Sequence, residues 1–582
     1  MLSICINHSL GSANSQLPIH ILITIKQQFL MLANEKLNLV KSLVKELSRD
    51  EIIWTNGYLA GLVANQTQDG PKEQKVVTSI KPTIIYGTET GNAKKLANQL
   101  LGIFKKNKIQ AKAVDAFQYP LEKIEKEEFL ILIFSTQGDG DLPQNAQKFY
   151  DNLSNSDLKL NQTKFAVFGL GDTSYPFFCK SGEEIDELFG KLGAQRVVDL
   201  VKVDLDYQEI AENWFADILK IIQSEGSSTV VQTQKLQSSS TQKKSYDGIV
   251  KHKVILNDRG SNKETYHIEI TVDEQVDYEP GDALGVYPKN NQTEILAIAK
   301  LFNEENRAKE LEEKNIRALS KKSIDQFATI LDVDILETKI DLIDLLSKYY
   351  SSESTIKFDN ILTLLHPIAP RLYSISSSNE AHDNEIHLTV SLNTFSVLDQ
   401  QKTGLCSQFL ADFEQDKSIE FYIHKNKNFK LPDENQSVIM IGPGTGIAPF
   451  RSFLTHRDAI GADGKNWLFF GEQHFVSDFY YQTEIQEWLS TGVLSKLDTA
   501  FSRDQKHKIY VQDRVKEQGK ELYNWLNNGA YLYVCGQKDG MSTDVESALI
   551  ELIAKESNQD EVSAKNFLEQ LEEEGRYQKD VY

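Results

Sequence analysis

The chain of 582 residues has little cysteine and no long uninterrupted hydrophobic segment. Its four cysteines are few and form no CxxC pair, which disfavours zinc sites, iron–sulfur sites and a disulfide framework. The apolar stretch 17–32 is interrupted by Lys26 and is shorter than the roughly 20 residues of a spanning helix. We therefore predict no bound metal and no membrane anchor.

Basic residues are also outnumbered by acidic ones. The formal net charge of −21 disfavours general binding to nucleic acids or anionic membranes, because both need a basic surface. With so few cysteines, the composition is that of a cytoplasmic globular protein. Two alternatives stay open at the N-terminus, where translation starts at either Met1 or Met31.

Periodicity divides the chain into segments, as expected for a length that exceeds one hydrophobic core. Strands alternate with helices over 81–223 and again over 434–582, which is typical of parallel α/β sheets. Short alternating strands over 247–433 predict an antiparallel barrel with a helical insertion over about 291–365. The remaining segments are an N-terminal helical and linker segment, 1–80, and a Ser/Thr/Gln-rich linker, 224–246.

Three loops of the first α/β segment follow apolar strands and therefore meet at the carboxyl edge of its sheet, where ligands bind. The loop GTETGNA (87–93) precedes a helix N-terminus, which suits a phosphate, and it lacks the lysine of a nucleoside triphosphate loop. The loops STQGDGD (135–141) and LGDTSY (170–175) bring glycines, which allow close approach, and Tyr175, which can stack on a flat ring.

In this order the three loops resemble the flavodoxin family, which implies an FMN site. Cys179 is included among the matching positions, although a small buried residue is its plainer interpretation. The resemblance implies FMN contacts from Thr88, Glu89, Thr90, Gly91, Asn92, Ala93, Ser135, Thr136, Gln137, Gly138, Leu170, Gly171, Asp172, Thr173, Ser174, Tyr175 and Cys179.

Three further motifs belong to the second half of the chain. RLYS (371–374) offers a guanidinium for a pyrophosphate and a tyrosine for stacking, and GLCS (404–407) opens a helix with free amides. GPGTG (442–446) joins a strand to a helix, with its third glycine one residue too early for GxGxxG. Together they resemble the ferredoxin–NADP reductase family, which implies FAD and a nicotinamide coenzyme.

That resemblance implies FAD contacts from Arg371, Leu372, Tyr373, Ser374, Thr389, Val390, Ser391, Gly404, Leu405, Cys406, Ser407 and Tyr582. It implies coenzyme contacts from Gly444, Thr445, Ser502, Arg503, Lys508, Ile509, Tyr510, Val511, Gln512 and Asp544. Cations and hydroxyls over 502–512 suit a 2′-phosphate and so favour NADPH over NADH. Ser374, Cys535 and Asp580 match the family's catalytic positions beside the nicotinamide.

The fusion of both modules is typical of diflavin reductases, in which electrons pass from NADPH through FAD to FMN and then to a haem partner. The ending GRYQKDVY and the segment EIIWTNGYLAGL (51–62) resemble the flavoprotein subunits of assimilatory sulfite reductases. This implies a sirohaem/iron–sulfur haemoprotein partner and a homo-oligomer formed through N-terminal helices. The alternatives are a diflavin reductase serving another acceptor, such as a soluble cytochrome P450, and a non-catalytic flavoprotein sensor or scaffold; intact Ser374, Cys535 and Asp580 count against the latter.

Overall fold

The computed structural model describes residues 80–582, with gaps at 90, 138–139, 173–176, 205–206, 225–243, 338, 352–355 and 398–399. Residues 80–582 form one unit of the structure, so their sheets can be related to one another. The N-terminal segment predicted to mediate oligomerisation and most of the linker 224–246 lie outside the described residues.

The first α/β unit, residues 83–224, is a parallel sheet of six strands in the order β2-β1-β3-β4-β5, with β6 also paired to β4. The strands are β1 Thr83–Gly87, β2 Lys112–Asp115, β3 Phe129–Ser135, β4 Lys164–Leu170, β5 Gln195–Arg196 and β6 Val201–Val203. The helices are α1 Asn92–Lys106, α2 Gln144–Ser154, α3 Lys180–Lys191 and α4 Gln208–Ser224.

Helices cover both faces of this sheet, which explains why its central strands are apolar without alternation. Phe129 and Leu130, neighbours on β3 that point to opposite faces, are both fully buried, in different hydrophobic clusters. Helix α1 buries Leu96, Leu100 and Phe104 against one face, at the spacing of a single helical stripe.

The barrel unit, residues 245–424, is an antiparallel sheet of six strands in the order β10-β9-β14-β7-β8-β11, and the bridge between Ile375 and Leu388 links its two ends. Its strands are β7 Ser245–Ile255, β8 Thr265–Val272, β9 Ala283–Val286, β10 Arg371–Ser374, β11 Glu385–Ser391 and β14 Ser418–His424. A separate hairpin joins β12 Thr394–Val397 to β13 Gln400–Thr403.

An insertion of helices stands between β9 and β10 of the barrel unit and has its own hydrophobic cluster, which includes Ile295, Phe327 and Leu345. Its α-helices are α5 Gln292–Leu301, α6 Lys321–Leu331, α7 Leu342–Tyr349 and α8 Phe358–Leu364. Two helices follow within the barrel unit, α9 Asn379–His382 and α10 Leu405–Asp412.

The second α/β unit, residues 438–582, is a parallel sheet of five strands in the order β17-β16-β15-β18-β19. Its strands are β15 Val438–Ile441, β16 Asn466–Glu472, β17 Lys496–Phe501, β18 Tyr531–Gly536 and β19 Tyr577–Val581. Its helices are α11 Ile447–Ala459, α12 Phe475–Asp478, α13 Gln482–Thr491, α14 Val511–Glu517, α15 Gly519–Asn527, α16 Thr543–Ser557 and α17 Glu561–Glu573.

The predicted fold class, two parallel α/β sheets around an antiparallel barrel with a helical insertion, is confirmed. In the part of the chain that the structure describes, no helix has both the length and the apolarity needed to cross a membrane.

Candidate flavin and coenzyme sites

The loop after β1 is held in shape by side chains. Gly91 has φ 88°, and its N–H donates to Thr88 Oγ1 at 2.9 Å, while the Thr88 N–H donates to Asn145 Oδ1 at 3.1 Å. Asn145 in turn donates to Asp115 Oδ2 at 2.9 Å. No side chain caps helix α1, so the amides of its first turn suit a phosphate. Asn145 had no sequence signal, because it stands on α2, far along the chain.

The other two loops of the predicted FMN site are joined to each other by their backbones. The Thr136 N–H donates to Leu170 O at 2.8 Å, and the Gly171 N–H donates to Val203 O at 2.9 Å. A Cβ on Gly171 would lie 2.7 Å from Cys179 N, so a larger residue does not fit. The predicted contacts Thr90, Gly138, Thr173, Ser174 and Tyr175 lie outside the described residues.

Cys179 is fully buried beneath the third loop. Its thiol donates to Gly169 O at 3.2 Å, and burial raises the pKa of the thiol to about 12. The side chain therefore packs inside the first α/β unit, as its plainer interpretation expects, and its assignment to FMN stays a prediction.

One cleft of about 2430 Å³ brings together residues from all three predicted sites. Gln137 reaches it from the first α/β unit. From the FAD set it is lined by Arg371, Leu372, Tyr373, Ser374, Thr389, Ser391, Gly404, Leu405, Cys406, Ser407 and Tyr582. From the NADPH set it is lined by Gly444, Thr445, Ser502, Arg503, Lys508, Tyr510, Val511, Gln512 and Asp544.

Four predicted residues of the second half of the chain do not line the cleft: Val390, Ile509, Cys535 and Asp580. Val390 is fully buried in the core of the barrel unit, and Ile509 packs against the core of the second α/β unit. Cys535 is also fully buried, at the end of β18. The side chain of Val390 therefore packs in the core of the barrel unit, and its assignment to FAD stays a prediction.

The FAD half of the cleft contains a second uncapped helix start. Gly404 precedes α10 without a side-chain cap, and the Asn393 N–H donates to Ser407 Oγ at 3.1 Å, which holds the neighbouring loop. The exposed Arg371 guanidinium donates to Ala369 O and Pro370 O, each at 3.2 Å. Free amides and a guanidinium fit the pyrophosphate of a dinucleotide.

A polar group lies where the barrel unit meets the second α/β unit. Ser374 Oγ donates to Asp580 Oδ2 at 2.9 Å, and Cys535 Sγ is 4.0 Å from the same oxygen, because β18 and β19 pair Cys535 with Asp580. Burial raises the pKa of the Asp580 carboxyl, against the opposing effect of the Ser374 hydrogen bond, and it raises the pKa of the Cys535 thiol. Both groups are therefore biased toward their protonated forms.

The turn after β15 is tightly packed. A Cβ on Gly442 would lie 2.5 Å from Gly446 O, and one on Gly446 would lie 2.1 Å from Cys535 O. Gly444 has φ 59°, in the left-handed region. The glycines therefore bring the backbone of this turn close to the cleft surface, which fits a pyrophosphate at the start of α11.

The segment after β17 is fixed through its backbone, while its charged side chains stay exposed. The Ser502 N–H donates to Glu472 O at 2.8 Å, and the Arg503 N–H donates to Gln473 O at 2.9 Å. Gln512 Nε2 donates to Asp544 Oδ2 at 3.3 Å across the cleft wall. Arg503 and Lys508 are exposed on the cleft, as a 2′-phosphate site requires.

Sequence reasoning missed several residues of the cleft, among them Lys263, Glu472 and Phe395. Lys263 of the barrel unit donates to Glu472 Oε1 at 2.5 Å, and this oxygen is 3.4 Å from the position that a Cβ on Gly444 would take. Phe395, on the hairpin β12–β13, lines the cleft and is 42 % exposed. Lys263 and Glu472 are 209 residues apart, so no local pattern could have paired them.

One group of side chains resembles a metal site. The possible ligand atoms of His267, Glu269 and His387 lie within 4.8 Å of one another. However, Arg451 Nη1 donates to His387 Nδ1 at 3.0 Å, so the proton of this imidazole is on Nε2, which lies 3.2 Å from Glu385 Oε2. Both ring nitrogens of His387 therefore already have hydrogen-bond partners, and the prediction of no metal stays a prediction.

The fold and cleft match known domain families in the predicted order. A Flavodoxin model matches residues 84–214, an FAD binding domain model matches 307–409, and an Oxidoreductase NAD-binding domain model matches 440–547. These domains define a diflavin oxidoreductase.

Whole-chain relatives narrow the class further. The protein named sulfite reductase [NADPH] flavoprotein alpha-component of Serratia proteamaculans is 37% identical to this chain over 95% of it and 98% of the relative. Its namesake in Escherichia coli O157:H7 is 37% identical and that in Bacillus subtilis 34% identical, each over 94% of this chain and 98% of the relative. The chain belongs to this family. The predicted family, enzyme class and cofactors (FMN, FAD and NADPH) are confirmed.

Proposed function

We propose that the chain takes electrons from NADPH in the described cleft and delivers them, through FAD and then FMN, to the haemoprotein partner of an assimilatory sulfite reductase. The observation that carries the proposal is that Gln137, Arg371 and Arg503, from the three expected binding sites, line one cleft. When bound, NADPH supplies a hydride, and the two flavins divide its electron pair into single electrons.

The residues between the expected FAD and nicotinamide positions have a clear task. Ser374 orients Asp580 by the hydrogen bond of 2.9 Å, and burial favours the neutral form of the acid. Burial shifts the pKa of both Asp580 and Cys535 upward, which disfavours negative charge beside arriving electrons. We assign Ser374, Cys535 and Asp580 to catalysis on this basis.

The preference for NADPH over NADH tests the assignment of Arg503 to the coenzyme site. Arg503→Ala removes a cation that we assign to the 2′-phosphate, and charge-assisted hydrogen bonds contribute about 1.5–3 kcal/mol. We expect the KM for NADPH to rise about ten-fold or more, with the KM for NADH unchanged, when ferricyanide is the acceptor. Lys506→Ala is the matched control, because Lys506 is exposed on the same segment but does not line the cleft. Equal losses for NADPH and NADH would contradict the assignment of Arg503.

The partner is tested by reconstitution. The names of the relatives describe a flavoprotein alpha-component, which supports a second component. The family resemblance implies that this component carries sirohaem and an iron–sulfur centre. We expect sulfide to form from sulfite only when this chain, NADPH and that haemoprotein are combined. Reduction of a soluble cytochrome P450, with no sulfide formed, would support the alternative acceptor.

The assembly and location of the chain are proposals from the sequence. We propose a homo-oligomer through the helices of residues 1–80, so that deletion of residues 1–66 yields a monomer that still reduces ferricyanide. A full-length protein that sediments as a monomer would contradict this.

The paucity of cysteine and the acidic charge support a cytoplasmic location. We also propose that the domains span residues 81–223, 247–433 and 434–582.

A further inference from the structure

A row of hydrogen-bonded side chains leads from the cleft to the protein surface. It begins at Thr389, which lines the cleft and whose Oγ1 lies 2.7 Å from Tyr481 OH. The Tyr481 hydroxyl lies 3.0 Å from His267 Nδ1, and His267 Nε2 lies 3.0 Å from Glu269 Oε1. Thr389, Tyr481 and His267 are buried, whereas the Glu269 side chain is 27 % exposed. Polar atoms therefore connect the cleft with solvent through the interior.

The cleft end of this row lies beside the residues that we assign to catalysis. The antiparallel bridge between Ile375 and Leu388 places Ser374 opposite Thr389, and both of these residues line the cleft. Ser374 also donates to Asp580 Oδ2 at 2.9 Å. The row therefore starts next to the position that we assign to hydride transfer.

The backbone of Tyr481 is strained. Its φ of 55° lies in the left-handed region, which is unusual for a bulky residue. Tyr481 directly precedes α13 of the second α/β unit, yet its hydroxyl reaches two strands of the barrel unit, β8 and β11, which carry His267 and Thr389. Strain of this kind persists where the surrounding structure or the function requires it. The contacts of its side chain give a reason for a tyrosine at this position.

The two middle members of the row are uncharged at neutral pH. Burial raises the pKa of Tyr481 to about 12. Burial, followed by the charge of Arg451, lowers the pKa of His267 to about 4. A neutral imidazole has one N–H and one acceptor nitrogen, and an ionised Glu269 can only accept. His267 therefore carries its proton on Nε2 and accepts from Tyr481 at Nδ1, so every O–H and N–H of the row can point from the cleft toward Glu269.

We propose that Thr389, Tyr481, His267 and Glu269 form a relay that carries a proton from the reduced FAD to solvent. NADPH supplies a hydride, which is one proton with two electrons. The acceptor takes both electrons, so one proton is left for each NADPH consumed. Thr389 accepts this proton at Oγ1 and passes its own to Tyr481, Tyr481 passes its proton to His267 Nδ1, and the Nε2 proton passes to Glu269 and then to water.

Rotation of the two hydroxyls and exchange of the imidazole tautomer then restore the starting state of the relay. The inference rests on the proposed function in taking FAD as the occupant of this part of the cleft.

The test compares two half-reactions of the full-length holoprotein by anaerobic stopped flow. Hydride transfer from NADPH needs no solvent proton, so its rate should be unchanged in Tyr481→Phe, which keeps the ring and removes the hydroxyl. Oxidation of the reduced protein by ferricyanide, and the release of the proton to a pH indicator, should slow roughly ten-fold or more. The solvent deuterium isotope effect on this oxidation should increase.

Glu269→Gln provides a second variant at the partly exposed end of the relay, where the substitution leaves the core intact. An amide cannot take up the proton, so the same half-reaction should slow. The effect should be smaller than that of Tyr481→Phe, because water can reach this end.

Tyr278 and Glu385 provide matched controls. The buried Tyr278 hydroxyl lies 2.8 Å from Ser377 Oγ and donates to Glu385 O at 3.0 Å, and Glu385 Oε2 lies 3.2 Å from His387 Nε2. Neither Tyr278 nor Glu385 is among the described residues that line the cleft. Tyr278→Phe and Glu385→Gln should therefore leave both half-reactions and proton release unchanged.

The direction of the relay is tested at rest, without turnover. Nitrogen-15 NMR of the oxidised holoprotein, labelled in histidine, should show His267 with its proton on Nε2. Tyr481→Phe should shift the Nδ1 resonance of His267, and Tyr278→Phe should not. A proton found on Nδ1 of His267 would overturn the relay.

The kinetic outcomes separate this inference from the proposed function. If Tyr481→Phe leaves the ferricyanide half-reaction unchanged, the proton leaves by another route and the relay is wrong. The same conclusion follows if both half-reactions slow equally, or if the control variants slow proton release as much as Tyr481→Phe does. If NADPH does not reduce the unmodified protein, the proposed function fails and the relay fails with it.

Discussion

The two α/β units follow the same plan but use glycine for different reasons. In each, an apolar strand ends in a turn that opens a helix at the carboxyl edge of a parallel sheet. A Cβ on Gly91 would meet nothing within 4 Å, so this glycine is needed only for its φ of 88°. Gly446 has an ordinary φ of −60°, but a Cβ there would lie 2.1 Å from Cys535 O. Gly91 therefore meets a requirement for backbone conformation, and Gly446 meets a requirement for space.

The two units also differ in how they are joined to the rest of the protein. Buried Arg451 of the second α/β unit donates to Ser376 O at 2.8 Å and His387 Nδ1 at 3.0 Å in the barrel unit, and to Glu484 Oε2 at 2.7 Å. The first α/β unit is held by partly exposed lysines, Lys322 and Lys538. A buried guanidinium is costly to separate from its partners, whereas exposed pairs contribute little. The comparison indicates a rigid reductase half and a separable flavodoxin-like unit.

The largest expected difference between the first α/β unit and the rest of the described chain is in their loss of stability at low pH. Burial, followed by the charge of Arg451, lowers the pKa of His267 to about 4 and that of His387 to about 2, whereas an unfolded histidine titrates near about 6.5. Stability is therefore complete above the unfolded pKa and is lost as the pH falls toward the folded values. We expect a loss of roughly 2 kcal/mol for each histidine between about pH 7 and about pH 5.

Calorimetry of the full chain at both pH values checks this expectation. Residues 81–223 contain no histidine, so the transition of the first α/β unit should move little. The transition of the barrel and second α/β units should move to clearly lower temperature. Equal shifts of both transitions would contradict the difference between the two halves.

Gly446→Ala tests the requirement for space. The added methyl group meets Cys535 O, which is backbone and cannot rotate away, and overpacking of this kind costs about 1–3 kcal/mol. We expect a lower Tm for the second α/β unit and much weaker binding of NADP⁺, measured by calorimetry, because the turn must move. FMN content should not change. A variant with unchanged Tm and NADP⁺ affinity would show that the turn is not tightly packed.

Gly91→Ala tests the requirement for conformation and should have the smallest effect. The methyl group has room, so only the left-handed backbone is penalised, by roughly 1 kcal/mol. Gly492→Ala is the matched control, because Gly492 has φ 87° and equally open surroundings at the end of α13, away from the cleft. Both variants should lose similar thermal stability, but only Gly91→Ala should lower FMN affinity, measured by fluorescence titration. If Gly91→Ala and Gly492→Ala bind FMN with equal affinity, the assignment of Gly91 to the FMN site is wrong.

Local sequence determined much of this protein. The apolar runs and helical stripes of the two α/β segments fixed their strand–helix alternation, because burial on both faces of a parallel sheet leaves a pattern in every strand. The turns at 87–93 and 442–446 could be predicted because adjacent residues specify a glycine-containing turn before a helix. For the insertion, the sequence predicted helices but not how they pack, since their packing partners are spread over many residues.

The tertiary structure alone decided which distant groups meet. Ser374 and Asp580 are 206 residues apart, Thr445 and Tyr582 are 137 apart, and Glu89 and Lys538 are 449 apart. Family resemblance pointed to Ser374 and Asp580, but no local pattern paired them, and nothing pointed to Lys538. These contacts depend on how three separately encoded sheets stack against one another. That stacking is set by surfaces whose residues are scattered along the chain, so it leaves no periodic signal in the sequence.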